Sequence, residues 1–193
     1  MLLYCGKSIS LFEELNSIPG GNTRRIGRYK MQDIIFKTDE YVFSYRVAGL
    51  LIHNNRILLQ RPINNTAYAL PGGHVELGET NEETLIREFK EEINANIIVD
   101  SLQWVGEIFF PWPSGNKPCH QICLYYKIEL ADDKYIPLKG AFWGTEQPED
   151  SSFKLEFSWV DINRISDIEL YPVDAKRLIA EGFHGVKHFV YKE

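Results

Sequence analysis

Residues 73–95 read GHVELGETNEETLIREFKEEINA, and the spacing of acids and apolar residues in this run decides how the chain is read. Thr80 followed three residues later by Glu83 makes a capping box, in which each side chain satisfies a backbone N–H left over at a helix start. A helix is therefore predicted to begin at Thr80. At 100° per residue, Leu85, Ile86, Phe89 and Ile93 share an arc of about 100° and are expected to bury it. Glu88, Glu91 and Glu92 fall on the neighbouring arc, so three carboxylates stand on one surface beside the core.

Like charges three or four residues apart cost a helix roughly 0.2–0.5 kcal/mol per pair, so helix stability gives no reason for this grouping. A bound cation reverses the sign of that interaction. Magnesium and manganese prefer carboxylate and water oxygens, take one or two protein carboxylates, and complete their shells with substrate phosphates. Glu79, in the turn before the helix, adds a further acid. The bland alternative is a solvated charged face, with Glu83 and Arg87 forming an ordinary ion pair one turn apart.

The whole run resembles the signature of the Nudix hydrolase family: Gly, five residues, Glu, seven residues, then Arg-Glu-apolar-any-Glu-Glu-any-Gly-apolar. Gly73, Glu79, Arg87, Glu88, Phe89, Glu91 and Glu92 match it. The six fixed Gly, Glu and Arg positions would coincide by chance on the order of 10⁻⁵ times in such a chain, which argues against the solvated face. Asn94 replaces the late glycine and Ala95 is a small version of the last apolar residue. Asparagine is the next-best residue for a left-handed helix end, so this departure touches helix geometry more than metal binding. Ala69-Leu70-Pro71-Gly72-Gly73 also resembles the family's entry from strand to loop, and Tyr68 stands near a position where many relatives have tryptophan.

The chain has 193 residues, 44% of them hydrophobic, which suits one compact domain. Its net charge of −6 argues against a nonspecific grip on nucleic-acid backbones. The concentrated basic stretch, Arg24, Arg25, Arg28 and Lys30, reads as a solvated segment. No run approaches the ~20 apolar residues of a membrane span, and a cytoplasmic protein is the default expectation. Cys5, Cys119 and Cys123 give no disulfide framework. Cys119, His120 and Cys123 lack a second ligand pair at zinc-like spacing and read as strand residues.

Extended segments are predicted at 41–52 and 55–61, joined at His53-Asn54-Asn55, where the asparagine pair signals a hairpin. Further β-rich stretches occupy roughly 97–110, 120–130 and 154–160, and a second helix is predicted over 172–181 with Gly182 after it. The loop from Pro137 to Ser152 suits either a rim over a site or a surface connector. Residues 1–30 read as a peripheral N-terminal extension, with Ser10 and Glu13 capping a short helix, and 31–193 as the Nudix-type domain. Met31 is read as a candidate natural initiator.

The resemblance implies an α+β fold, a Nudix-type α/β/α sandwich with a mixed β-sheet. It also implies hydrolysis of a phosphoanhydride (pyrophosphate) bond in a nucleoside diphosphate linked to another moiety, or in a similar small phosphorylated metabolite. Magnesium is the implied cofactor, with manganese as a substitute. Residue by residue, Glu88, Glu91 and Glu92 carry over as metal ligands or, for one of them, the base that takes a proton from water. Arg87 carries over as the residue that orients a motif glutamate, Gly73 as backbone shape or a carbonyl ligand, and Glu79 as a supporting carboxylate. Glu146, Glu149 and Glu156 are candidates for a further acid beyond the run, and Phe109, Phe110, Trp112 and Trp143 for stacking on a base, although core packing competes for most of these aromatics. The alternative is a non-catalytic nucleotide sensor or binding module on the same fold. A homodimer is left open by the resemblance, and no residue identifies its interface.

Overall fold

The computed structural model describes residues 32–132, 134, 136–144 and 154–193. Its strands in chain order are β1 (Ile35–Lys37), β2 (Val42–His53), β3 (Arg56–Pro62), β4 (Tyr68–Ala69), β5 (Ile97–Pro111), β6 (Pro118–Leu130), β7 (Ala141–Trp143), β8 (Leu155–Asp161), β9 (Leu170–Tyr171) and β10 (Lys187–Lys192). Helix α1 (Asn81–Ile93) lies between β4 and β5, and α2 (Asp174–Glu181) between β9 and β10. The predicted extension 1–30, its short helix, its basic stretch, Met31, and residues 145–152 of the Pro137–Ser152 loop lie outside the described residues.

Strand β2 organises the sheet. Residues Val42–Leu51 pair in parallel with β6, while Ile52 and His53 pair antiparallel with β3. The turn between β2 and β3 holds Asn54 and Asn55 at φ 48° and 60°, the left-handed pair that a two-residue hairpin requires and asparagine tolerates. The remaining path runs β10-β5-β6-β2-β3-β4-β9, with β8 also on β3 and β7 on β8. β10 is parallel to β5 and β5 antiparallel to β6, so the sheet is mixed.

One helix covers each face. Val47, Leu51, Leu58, Phe157 and Trp159 pack with Leu85, Phe89 and Ile93 of α1. On the other face Leu50, Ile57, Leu59, Trp104 and Phe189 pack with Ala175, Leu178 and Ile179 of α2. The result is the expected α/β/α sandwich.

Helix α1 starts where its sequence requires. The Glu83 N–H donates to Thr80 Oγ1 at 3.2 Å and the Thr80 N–H to Glu83 Oε2 at 2.8 Å. At the other end Asn94 takes φ 55°, ψ 24°, with its N–H on the Lys90 carbonyl and the Ala95 N–H on the Phe89 carbonyl, so asparagine does the terminating work of the missing glycine. Thr80→Ala should cost about 1 kcal/mol, seen as a fall in melting temperature of about 2–4 °C.

Two expectations are corrected. Ile86 is 42% exposed, whereas Thr84, Glu88 and Glu92 are buried with Leu85, Phe89 and Ile93. The helix is rolled so that the middle of its buried arc falls between Leu85 and Glu92. Ile86 is left at the arc's edge, and two of the acids turn inward. The second helix begins at Asp174, with Pro172 before it, and Gly182 follows its end at φ 79°.

Candidate active site

The loop entering α1 is stitched to the middle of β2. The amides of Gly49 and Val47 donate to the carbonyls of Pro71 and Gly73 at 2.8 and 3.0 Å, and the Val75 amide donates to the Tyr45 carbonyl at 3.1 Å. Arg46 Nη2 adds a bond to the Gly72 carbonyl at 2.7 Å. Gly72 has φ +145°, and a Cβ there would lie 2.2 Å from the Val47 carbonyl oxygen. Only glycine fits this approach.

Arg87 gathers the acids. Its Nε and Nη2 grip Glu79 Oε1 and Oε2 at 2.8 and 3.0 Å, a two-point contact matched to the flat guanidinium. Nη1 reaches Glu88 Oε1 at 2.7 Å and Glu91 Oε2 at 3.3 Å, and Nη2 also donates to the His74 carbonyl at 3.3 Å. Thr84 Oγ1 donates to Glu79 at 2.9 Å. The ordinary Glu83–Arg87 pair does not form, because Glu83 is used at the helix cap. Glu79 is thus a direct partner of the helix arginine, across the turn.

The acids sit in different electrostatic surroundings. Burial pushes the Glu88 carboxyl above its usual range, against the pull of Arg87 and Arg46. Burial also pushes Glu79 up, but the bonds from Arg87 and Thr84 outweigh it and hold that carboxyl below its usual range. Glu92 is 5% exposed. His74 is held neutral by burial and by the positive charges of Arg46 and Lys37.

Arg87→Ala would leave Glu79 and Glu88 without their fork, at a cost of about 1–3 kcal/mol. It should also raise the Glu88 carboxyl further. A group whose folded value lies above its unfolded one contributes stability at low pH that is lost as pH rises through the folded value. The variant's deficit in melting temperature should therefore be smaller near pH 4 than near pH 8.

Among the described residues, no three His, Cys, Asp or Glu side chains converge as a closed metal cage. A hard cation that completes its shell with water and phosphate needs fewer: one or two carboxylates suffice. The donors offered are carboxylate and carbonyl oxygens, and Gly73 leaves room for them. A Cβ on Gly73 would fall 2.1 Å from Glu88 Oε1. The chemistry of this set fits magnesium or manganese.

Of the acids considered outside α1, Glu156 is engaged by Arg61 at 2.8 Å and by Ser158 Oγ at 3.1 Å, and Glu146 and Glu149 lie outside the described residues. Cys119 and Cys123 are buried free thiols. They face the opposite side of β6 from His120, because alternate strand residues point to opposite faces. Arg61 lies over the Tyr68 ring at 4.7 Å. Phe109 stacks on His120 at 4.2 Å, Trp112 is buried, and Trp143 is 48% exposed.

Arg46, which sequence reasoning missed, joins the loop to a cavity of about 710 Å³ counted with its open mouth. Phe110, Gln121, Tyr125, Tyr171 and Tyr191 are among the residues that line it. A charged residue inside the otherwise uncharged run Tyr41–Ile52 was the available signal.

The NUDIX domain family model matches residues 42–181, and the chain belongs to the Nudix family. An ADP-ribose pyrophosphatase from Methanocaldococcus jannaschii is 51% identical over 87 residues, covering 44% of this chain and 49% of that one. A NAD-capped RNA hydrolase from Pseudomonas fluorescens is 33% identical over 90 residues, 46% of this chain and 30% of that one. The chain thus spans less than half the length of these curated relatives. In fold it is similar to an ADP-ribose pyrophosphatase from Streptococcus suis, with a TM-score of 0.50 at 12% identity over 78% of this chain and 98% of that one. Among the described residues, no helix is long and apolar enough to cross a membrane.

Proposed function

We propose that this chain hydrolyses a pyrophosphate bond in a nucleoside diphosphate linked to another group, with a divalent cation held by acids of α1. The observation that carries the reading is the packing of the Glu88 carboxyl against Gly73 while Arg87 grips Glu79, Glu88 and Glu91. Buried like charges at such density are costly unless positive charge offsets them.

Glu88, Glu91 and Glu92 supply the ligands of the cation or, for one of them, the base that takes the proton from water, and the Gly73 carbonyl is a further oxygen donor. When bound, magnesium or manganese would stabilise charge developing on the phosphate and make a coordinated water easier to deprotonate. Arg87 fixes Glu88 and Glu91 in place and uses Glu79 as its own anchor. Arg46, between the loop and the cavity, supplies a fixed positive charge at the phosphates. Residues 31–193 form the hydrolase unit in this reading, with 1–30 peripheral to it and the cytoplasm as its location.

The test is a screen of nucleotide sugars, ADP-ribose, dinucleoside polyphosphates and nucleoside triphosphates with magnesium present or chelated, with products identified. ADP-ribose comes first because of the relative that matches at 51% identity. Magnesium-dependent release of a nucleoside monophosphate supports the reading. Metal-independent binding with no product overturns it in favour of a sensor.

A further inference from the structure

We propose that the cavity beside Arg46 seats a nucleobase, and that Gln121, held in one orientation by Ser44, donates its amide N–H to an acceptor atom of that base. This deepens the hydrolase reading and rests on it for the phosphate end of the ligand.

Strand register places the reader. Ser44 of β2 pairs with Gln121 of β6, two residues along β2 from Arg46. Alternation puts Ser44, Arg46 and Ala48 on one face of β2, and Gln121, Cys123 and Tyr125 on the same face of β6. Arg46, Ala48, Gln121, Cys123 and Tyr125 all line the cavity.

Hydrogen bonding then sets the polarity of the amide. Ser44, fully buried, donates from Oγ to Gln121 Oε1 at 3.1 Å. Ser44 Oγ also lies 3.9 Å from Cys119 Sγ. Burial pushes that thiol up to about 11, so it keeps its proton at neutral pH and can donate to the serine. The chain of donors runs from Cys119 through Ser44 to Gln121. With its oxygen occupied, the amide presents N–H groups to the cavity. A flipped amide would make Ser44 the acceptor and turn its proton to Cys119 Sγ, a poorer acceptor than an amide oxygen.

The remaining walls suit a flat ring. Ile108 and Phe110 of β5, Tyr171 of β9 and Tyr191 of β10 line the space, Tyr191 beside Ile108 in the sheet, and Tyr171 and Tyr191 meet edge to face at 5.6 Å. Aromatic walls stack on any base, whereas a fixed donor selects an acceptor at one place on it. Arg46 stands at the loop side of the same cavity, so a base here has its phosphates directed toward Gly72 and Gly73.

The experiment measures affinity by calorimetry without metal or turnover. Wild type, Gln121→Leu, Gln121→Glu and Ser44→Ala are each titrated with AMP, GMP, UMP, CMP and ribose 5-phosphate. The best-bound mononucleotide should exceed ribose 5-phosphate by at least about tenfold. Gln121→Leu should remove about tenfold of that margin, and Gln121→Glu at least as much. Ser44→Ala should give an intermediate loss, since the amide is then free to flip. Ribose 5-phosphate should bind the variants as it binds wild type, which a general disturbance of the cavity would not allow.

Equal affinity for nucleotides and ribose 5-phosphate, no nucleotide binding in wild type, or Gln121 variants that bind nucleotides normally would each overturn the assignment. Hydrolysis is assayed separately. Turnover without base preference sinks the base seat alone, and base preference without turnover sinks the hydrolase reading alone.

Discussion

Glu92→Gln should lower turnover by on the order of 10²–10³ while the protein melts within a few degrees of wild type. The substitution keeps the side chain's size and hydrogen-bonding shape, and Glu92 is 5% exposed on the face of α1 that meets the core. What it removes is one negative charge from the proposed cation site. Glu91→Gln should behave alike, although Glu91 is partly exposed and held by Arg87 at 3.3 Å. Steady-state rates across a magnesium titration, with melting curves on the same samples, provide the check. Wild-type turnover with unchanged metal demand in both variants would refute the assignment of these acids.

Gly73→Ala should be as damaging to turnover, by another route. The added methyl would lie 2.1 Å from Glu88 Cδ and Oε1, so the carboxylate must leave its place. The loss of fit should cost about 1–3 kcal/mol of stability. Gly72→Ala should cost more stability, because there the obstacle is the Val47 carbonyl, backbone in the centre of the sheet. Comparing melting temperatures and kcat for the two variants separates a displaced acid from a displaced loop. Near-normal kcat in Gly73→Ala would remove Glu88 from the chemistry.

What the sequence disclosed, it disclosed through short-range rules. The Thr80–Glu83 box, the left-handed Asn94 and the Asn54–Asn55 turn depend on neighbours within a few residues. Each forms as expected. Ile86 was misplaced because periodicity gives the width of a buried arc but not how far the helix rolls against its sheet. Strands β4 and β9 are two residues long and hold together by pairing with each other across a hundred positions, which leaves no local pattern to read. The motif spacing singled out Arg87 and its acids, but its grip on Glu79 depends on how the turn folds back. The parts proposed for Arg46 and Gln121 rest on strand register, a property of distant segments brought side by side.

Residues 71–75 are anchored along β2. A segment bonded to the central strand at three backbone positions and by Arg46 has given up its conformational entropy once, when the chain folds. It need not surrender that entropy again at every catalytic cycle. In the proposed reaction phosphates would therefore meet a surface already in shape, and the variable part of recognition would be left to the side chains of the neighbouring cleft.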